Sequence, residues 1–175
     1  AISPRDEQAP AWSDVADHDW EDLRMAVYAA QIDRMDEGIG RVLAELQRQG
    51  IEENTLVIFL SDNGGCAEFL KEDGMRGFQL HHTRDHRPMR VGNRRDWLPG
   101  PEDTYMSYDL PWANASNTPF RLFKHWVHEG GIATPMIVRW PAAVKAGLMV
   151  HEPCHFIDVM PTLLDAAGAR FPDRF

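Results

Sequence analysis

The chain has 175 residues, 43% of them hydrophobic and 26% charged, with a formal net charge of −9. That size suits one domain with a buried core, and that composition is the composition of an ordinary globular protein. The acidic balance argues against a nucleic-acid partner, and no apolar run approaches the roughly 20 residues that cross a bilayer, so no membrane segment is expected.

The first 16 residues are polar and hold Pro4 and Pro10, which reads as a connector. The opening AISPRDEQAP has neither a basic start nor an apolar stretch, so no secretion signal is visible in it. A long helix is predicted over 19–48. Met25, Tyr28, Ile32, Met35, Ile39, Val42 and Leu46 step by three and four along one face, and Arg24, Asp33, Glu37, Arg41 and Glu45 lie opposite. Gly38 and Gly40 inside that helix suggest close packing or a bend, and Gly50 is its stop.

After the turn IEEN, the run TLVIFL at 55–60 is apolar and rich in β-branched residues. It predicts a strand buried on both faces, as in a parallel sheet covered by helices. Residues 66–118 show no sustained period and several prolines, which predicts a long irregular loop; loops of this length in a domain are functional or disordered. Within it, residues 71–100 carry seven bases against four acids. Two readings stand: a solvated loop, or a basic rim that attracts an anionic substrate. PMIVRW at 135–140 predicts a second buried strand. HFIDVMPTLLDAAG at 155–168 predicts a helix with Asp158 at its start, Pro161 in its first turn and Gly168 as its stop. The alternation is α/β, but two confident strands are too few for a complete sheet.

Chemistry gathers at two places. Asp62 and Asn63 end the first strand, where open α/β sheets place their ligands. A charged and a neutral oxygen suit a hard cation such as Ca²⁺, although Asp-Asn-Gly-Gly is also an ordinary turn. In FRLFKHWVHEGG, Lys124 is a compact charge with three donors, and Arg121 offers a fork; both suit a tetrahedral oxyanion. His125 and His128 are candidates to donate a proton to a leaving oxygen. The alternative there is a surface turn whose bases are solvated while Phe120, Phe123 and Trp126 pack inward. His81, His82 and His86 lack the spacing of a structural zinc site and read as loop residues. Cys66 and Cys154 read as two separate thiols, with a single bridge as the alternative.

Taken together, YAAQIDRMDEGIGRVLAELQRQGIEENTLVIFLSDNGG, NTPFRLFKHWVHEGGIATPMIVRWPA and HFIDVMPTLLDAAG resemble the C-terminal part of the catalytic domain of a type I, arylsulfatase-like sulfatase. The resemblance covers most of residues 20–168 and implies the alkaline-phosphatase-like fold, a mixed and mostly parallel sheet between helices. It implies hydrolysis of a sulfuric ester, on a small molecule or a sulfated glycan. In that family a formylglycine made from cysteine or serine attacks the sulfur, and a divalent cation, usually Ca²⁺, holds the sulfate oxygens. The resemblance makes Asp62 and Asn63 metal ligands and Lys124, five residues before Glu129, a sulfate contact. His128 falls at a variable place in the motif.

Neither cysteine carries the family's Cys/Ser-x-Pro/Ala-x-Arg motif, since Cys66 is followed by AEFLK and Cys154 by HFIDV. A partial domain, inactive by itself, is therefore expected. Strand edges left unpaired would favour self-association. Two other readings are a phosphonate or phosphodiester hydrolase of the alkaline phosphatase superfamily, and a non-catalytic interaction domain.

Overall fold

A computed structural model of the chain describes residues 3–71 and 81–170. Lys71 of the basic segment is among them; Glu72, Asp73 and Arg76 lie outside the described residues. The chain divides into two compact units, residues 1–144 and 145–175.

In the larger unit, α1 runs His18–Arg48. Asp17 caps it by accepting the Trp20 amide at 3.1 Å, and Gly50 ends it with φ +68, a left-handed turn that glycine adopts without a Cβ penalty. The apolar stripe is only partly covered. Trp20, Glu21 and Arg24 are buried at the N-terminal end, whereas Ile32, Met35 and Val42 stand exposed. Gly38 and Gly40 face nearly open space, so the expected close packing is absent at both; a Cβ on Gly40 would meet nothing within 4 Å.

The two apolar runs become β1 (Val57–Leu60) and β4 (Met136–Arg139). They pair antiparallel, Val57 opposite Arg139 and Leu60 opposite Met136. Burial on both faces does not occur: Phe59, Met136, Ile137 and Val138 are exposed. A two-stranded ladder has no neighbours to cover it, and antiparallel pairs tolerate a solvated face. Short polar ties fasten the pair to the turn before it, through Arg139 to Glu52 at 3.0 Å and Trp140 to Asn54 at 3.3 Å.

The expected irregular loop at 66–118 contains regular structure. β2 (Arg90–Val91) pairs parallel with β3 (Thr104–Tyr105), and α2 spans Asp109–Ser116. The α2 sequence DLPWANAS has no apolar stripe, which is why periodicity misses it. Four hydrogen bonds fasten this segment to α1, to Leu70 and to itself. The Trp20 indole donates to the Trp97 carbonyl at 2.8 Å, and Arg24 donates to the Ser107 carbonyl at 3.0 Å. Buried Asn93 donates to the Ser107 hydroxyl at 2.9 Å, and that hydroxyl accepts the Leu70 amide.

The bases of this segment are largely spent on its own acids. Arg87 pairs with Asp85 and Glu102, Arg90 with Asp103, Arg94 with Asp96, and Arg95 with Glu21. The excess positive charge read from the sequence is therefore mostly neutralised locally among the described residues.

The smaller unit, by itself, holds a 3-10 turn at Phe156–Asp158 and helix α4 (Val159–Ala166). The His155 ring accepts the Ile157 amide and the Asp158 carboxylate accepts the His155 amide, a reciprocal cap. Gly168 follows with φ +63. No helix of the described residues is long and apolar enough to cross a membrane.

Candidate functional site

β1 delivers the SDNGG turn, and β4 is preceded by the segment carrying Lys124 and the short helix α3 (Glu129–Ile132). The antiparallel pairing puts Leu60 opposite Met136, so the end of β1 and the start of β4 share one edge of the ladder. The turn and the Lys124 segment meet there through direct backbone bonds. The Gly64 amide donates to the Gly131 carbonyl at 3.1 Å, and the Lys124 amide donates to the Gly65 carbonyl at 3.0 Å.

These contacts explain the glycines. A Cβ on Gly64 would collide with the Gly130 carbonyl, one on Gly130 with the Leu122 and Arg121 carbonyls, and one on Gly131 with the Trp126 carbonyl. Leu122 and His125, on either side of Lys124, hold positive φ of 65° and 83°. Such conformations cost a non-glycine residue about 1–3 kcal/mol and persist where surroundings dictate them.

One side chain ties the assembly. The Asn117 Oδ1 accepts the Gly65 amide at 2.9 Å, and its Nδ2 donates to the Leu122 carbonyl at 2.8 Å and the Gly130 carbonyl at 2.7 Å. Sequence reasoning missed Asn117. Its only signal is position, an Asn before the Thr-Pro turn that opens the Lys124 segment.

Asp62 is exposed and its carboxylate accepts no hydrogen bond among the described residues. Asn63 turns its amide nitrogen to the Gly64 carbonyl at 2.8 Å, which leaves Oδ1 open. The donor set thus fits a hard cation, supplying two of the roughly six to eight oxygens that Ca²⁺ takes. Among the described residues no group of three or more His, Cys, Asp or Glu converges as a complete metal cluster.

Lys124 is half-buried and its ammonium lies 3.4 Å from Glu68 Oε1, which also meets His125 Nε2 at 3.0 Å. Negative charge around it, from Cys66 when ionised, then Glu68 and then Asp62, pushes the Lys124 ammonium above its usual value, so it stays charged. Glu68 is in turn held below the usual glutamate value, first by the bond from His125 and then by Lys124. Glu68 is the second residue the sequence reading missed; nothing in AEFLK marks it.

Of the other candidates, Arg121 is exposed; its carbonyl accepts the Gly130 amide, while its guanidinium makes no ion pair among the described residues. His128 caps α3 through its carbonyl, which accepts the Gly131 amide at 2.8 Å, and its exposed ring makes no hydrogen bond among the described residues. The structure therefore brings Asp62, Asn63 and Lys124 to one corner, and gives Arg121 and His128 backbone duties beside it. In this segment Phe123 is buried, whereas Phe120 and Trp126 are about half exposed, so only one of the three aromatics packs inward. Cys66 lies beside Lys124, and no disulfide involves it.

Comparison with known proteins follows from these motifs. The family model described as Sulfatase matches residues 4–169. An uncharacterized sulfatase of Schizosaccharomyces pombe is 33% identical over 148 residues, covering 85% of this chain and 26% of that protein. An arylsulfatase of Klebsiella aerogenes is 33% identical over 145 residues, 82% of this chain and 29% of its own. A steryl-sulfatase of Mus musculus is 33% identical over 145 residues, 83% and 18% respectively. The chain thus spans less than a third of the length of each of these curated relatives.

Proposed function

The chain belongs to the sulfatase family, and we propose that it supplies the cation-binding and sulfate-gripping side of a sulfuric ester hydrolase built on the alkaline-phosphatase-like fold. The observation that carries the reading is the meeting of the Asp62–Asn63 turn with Lys124 through the Gly65 carbonyl. Sulfatase relatives, the arylsulfatase and the steryl-sulfatase among them, support the reaction class.

Asp62 and Asn63 would hold Ca²⁺ through their open oxygens. When bound, that cation supplies positive charge against sulfuryl oxygens. Lys124 contributes a second positive charge, kept protonated by its acidic surroundings, and stabilises the charge that grows on those oxygens as the ester bond breaks. A sulfate oxygen arriving at Lys124 competes with Glu68 for the ammonium, so Glu68 sets how readily the grip opens. Arg121, exposed at the same segment, extends the grip; His128 is the residue on this segment proposed to donate to the departing oxygen. Neither Cys66 nor Cys154 carries the formylglycine motif, so the residues here do not fit that group. No step is assigned to a nucleophile of this chain. A sulfated small molecule or glycan is the substrate class.

The test is kinetic. In a sulfatase domain containing this chain, Asp62→Ala and Lys124→Ala each lower kcat/KM toward 4-nitrophenyl sulfate by about a hundredfold or more. Unchanged turnover in both variants overturns the assignment. Parallel assay of 4-nitrophenyl phosphate separates sulfate from phosphate chemistry.

The proposal extends to association. Ile137 on β4 is 61% exposed and Val42 on α1 equally so, an apolar surface that a soluble chain covers by pairing. Self-association through the open edges of the ladder accounts for it. A monomer by light scattering at micromolar concentration overturns this part.

A further inference from the structure

Two neighbouring side chains of the Lys124 segment reach one oxygen. Glu68 Oε1 accepts from His125 Nε2 at 3.0 Å and lies 3.4 Å from the Lys124 ammonium, while Oε2 accepts nothing among the described residues. In extended backbone successive side chains point to opposite faces, so residues 124 and 125 would not share a partner. A turn removes that obstacle. The Trp126 amide donates to the Phe123 carbonyl at 3.2 Å, which makes Lys124 and His125 the two central residues. His125 is the second of them and has φ +83, the region that a type II turn requires there and that ordinarily calls for Gly or Asn. This chain places an imidazole where glycine would be free of strain. Backbone held in such a region points to a role for the side chain it carries.

A sulfate arriving at Lys124 displaces Glu68 from the ammonium but does not remove it from the corner, since the shorter bond to His125 remains. Two anions then stand side by side. Against a neutral imidazole, Glu68 keeps its full charge and repels the sulfate. When the imidazole carries a second proton, Glu68 and His125 form an ion pair and the repulsion falls. Imidazole is the side chain whose charge changes between about pH 5 and 8. The other titratable groups facing this cluster are Cys66 and Asp62, around Lys124, and Arg121 and His128 flank it on the same segment. Glu68 is held below the usual glutamate value and Lys124 above the usual lysine value, so both stay charged while an imidazole titrates.

We infer that His125 is a positioning residue for the grip: its protonated ring draws Glu68 off Lys124, so that an oxyanion binds at Lys124 together with a proton at His125. The inference rests on the reading of Lys124 as the sulfate grip and adds how that grip is regulated. Because linkage is reciprocal, sulfate affinity is high where His125 is protonated and falls as pH rises through its titration.

The 175-residue chain, ¹⁵N-labelled, is titrated with inorganic sulfate at constant ionic strength, and the Lys124 amide is followed by NMR. Sulfate stays a dianion throughout, so the ligand adds no titration of its own. Between about pH 6 and about pH 8 the wild-type affinity falls about tenfold. His125→Gln keeps a donor for Glu68 but takes no proton; it binds at both pH values as weakly as wild type does at the higher one. His125→Gly shows the same flat profile yet unfolds in urea no earlier than wild type, because glycine accepts the positive φ. A merely structural histidine would not give that split. Glu68→Gln, with no competing carboxylate, binds at the higher pH as tightly as wild type at the lower. Cys66→Ser keeps the wild-type profile. Equal wild-type affinity at the two pH values, or a His125→Gln profile as steep as wild type, overturns the role of His125 while the grip stands; the second result would move the proton to His128 or Cys66. Sulfate that leaves the Lys124 amide unmoved at both pH values overturns the grip itself, and this inference with it.

Discussion

The Gly64 amide donates to the Gly131 carbonyl at 3.1 Å, and no side chain stands between these two backbones. A Cβ on Gly64 would fall inside the Gly130 carbonyl, and the obstacle is main chain, which cannot swing aside as a side-chain tip can. Gly64→Ala and Gly130→Ala each force the turn and the Lys124 segment apart. The expected loss is about 3 kcal/mol in each, the upper part of the range for overpacking. Urea unfolding measures it. A loss within roughly 0.5 kcal/mol, the scatter of neutral surface changes, would show that the contact yields without cost.

Asn117 is the side chain that holds the same junction. It satisfies the Gly65 amide and the Leu122 and Gly130 carbonyls at once. Asn117→Ala removes three bonds and leaves one donor and two acceptors without it, a cost of about 3 kcal/mol. Asn117→Asp keeps shape and the Gly65 bond but turns a carboxylate oxygen toward two carbonyls. It is therefore expected to be at least as destabilising as alanine, despite being nearer in size. If Asn117→Asp unfolds at the wild-type midpoint, the tie is not electrostatic.

The Glu68 carboxylate gives the corner an acid limit. Its folded value is depressed by His125 first and Lys124 second, from an ordinary 4.5. Its two bonds are therefore fully present above pH 4.5 and are lost as pH falls through the lower folded value. NMR titration of the Glu68 carboxyl carbon shows a midpoint below 4.5. His125→Ala and Lys124→Ala each raise that midpoint. A wild-type midpoint at or above 4.5 contradicts the geometry. Glu68 and His125 are exposed and Lys124 is about a third exposed, at 34%, so the effect on global stability is small.

What the residues disclosed in advance, and what they did not, divides along physical lines. α1 was legible because its period and Gly50 act locally, and the observed His18–Arg48 differs from the expected bounds by one residue. β1 and β4 were legible as strands from their β-branched runs. Their antiparallel partnership was not, because an apolar run states that a strand is buried or paired, never with what. α2 escaped because its sequence carries no apolar stripe; its Trp112 meets Trp12, with ring centroids 5.8 Å apart. At the corner, Asp62, Asn63 and Lys124 stood out by residue type at strand and turn ends. Asn117 and Glu68 did not, since their partners are backbone groups and side chains that come within reach only after the two segments meet. The charge of residues 71–100 was visible, but its cancellation by Asp85, Asp96, Glu102 and Asp103 is a matter of side-chain direction.

The buried ion pair under α1 gives the sharpest stability prediction. Arg24 and Glu21 pair directly, with side chains only 5% and 10% exposed. Glu21 also accepts Arg95 at 2.8 Å, and Trp20 receives both guanidinium groups on its ring, Arg24 at 4.7 Å and Arg95 at 4.5 Å. Removing the acid leaves Arg24 charged, buried and without its carboxylate. Glu21→Gln is therefore expected to cost about 3–5 kcal/mol, the range for breaking a buried pair from one side. Replacing both partners, Glu21→Gln with Arg24→Met, removes the stranded charge and fills its volume with an apolar chain. That double variant should be more stable than Glu21→Gln alone. Recovery should stop short of wild type, because Arg24 also satisfies the Ser107 carbonyl at 3.0 Å, and methionine cannot. The measurement is a double-mutant cycle by urea unfolding. Strict additivity of the two changes would mean that Glu21 and Arg24 act on stability independently, against their direct contact; a double variant less stable than either single one would place the value of the site in the Ser107 bond and not in the ion pair.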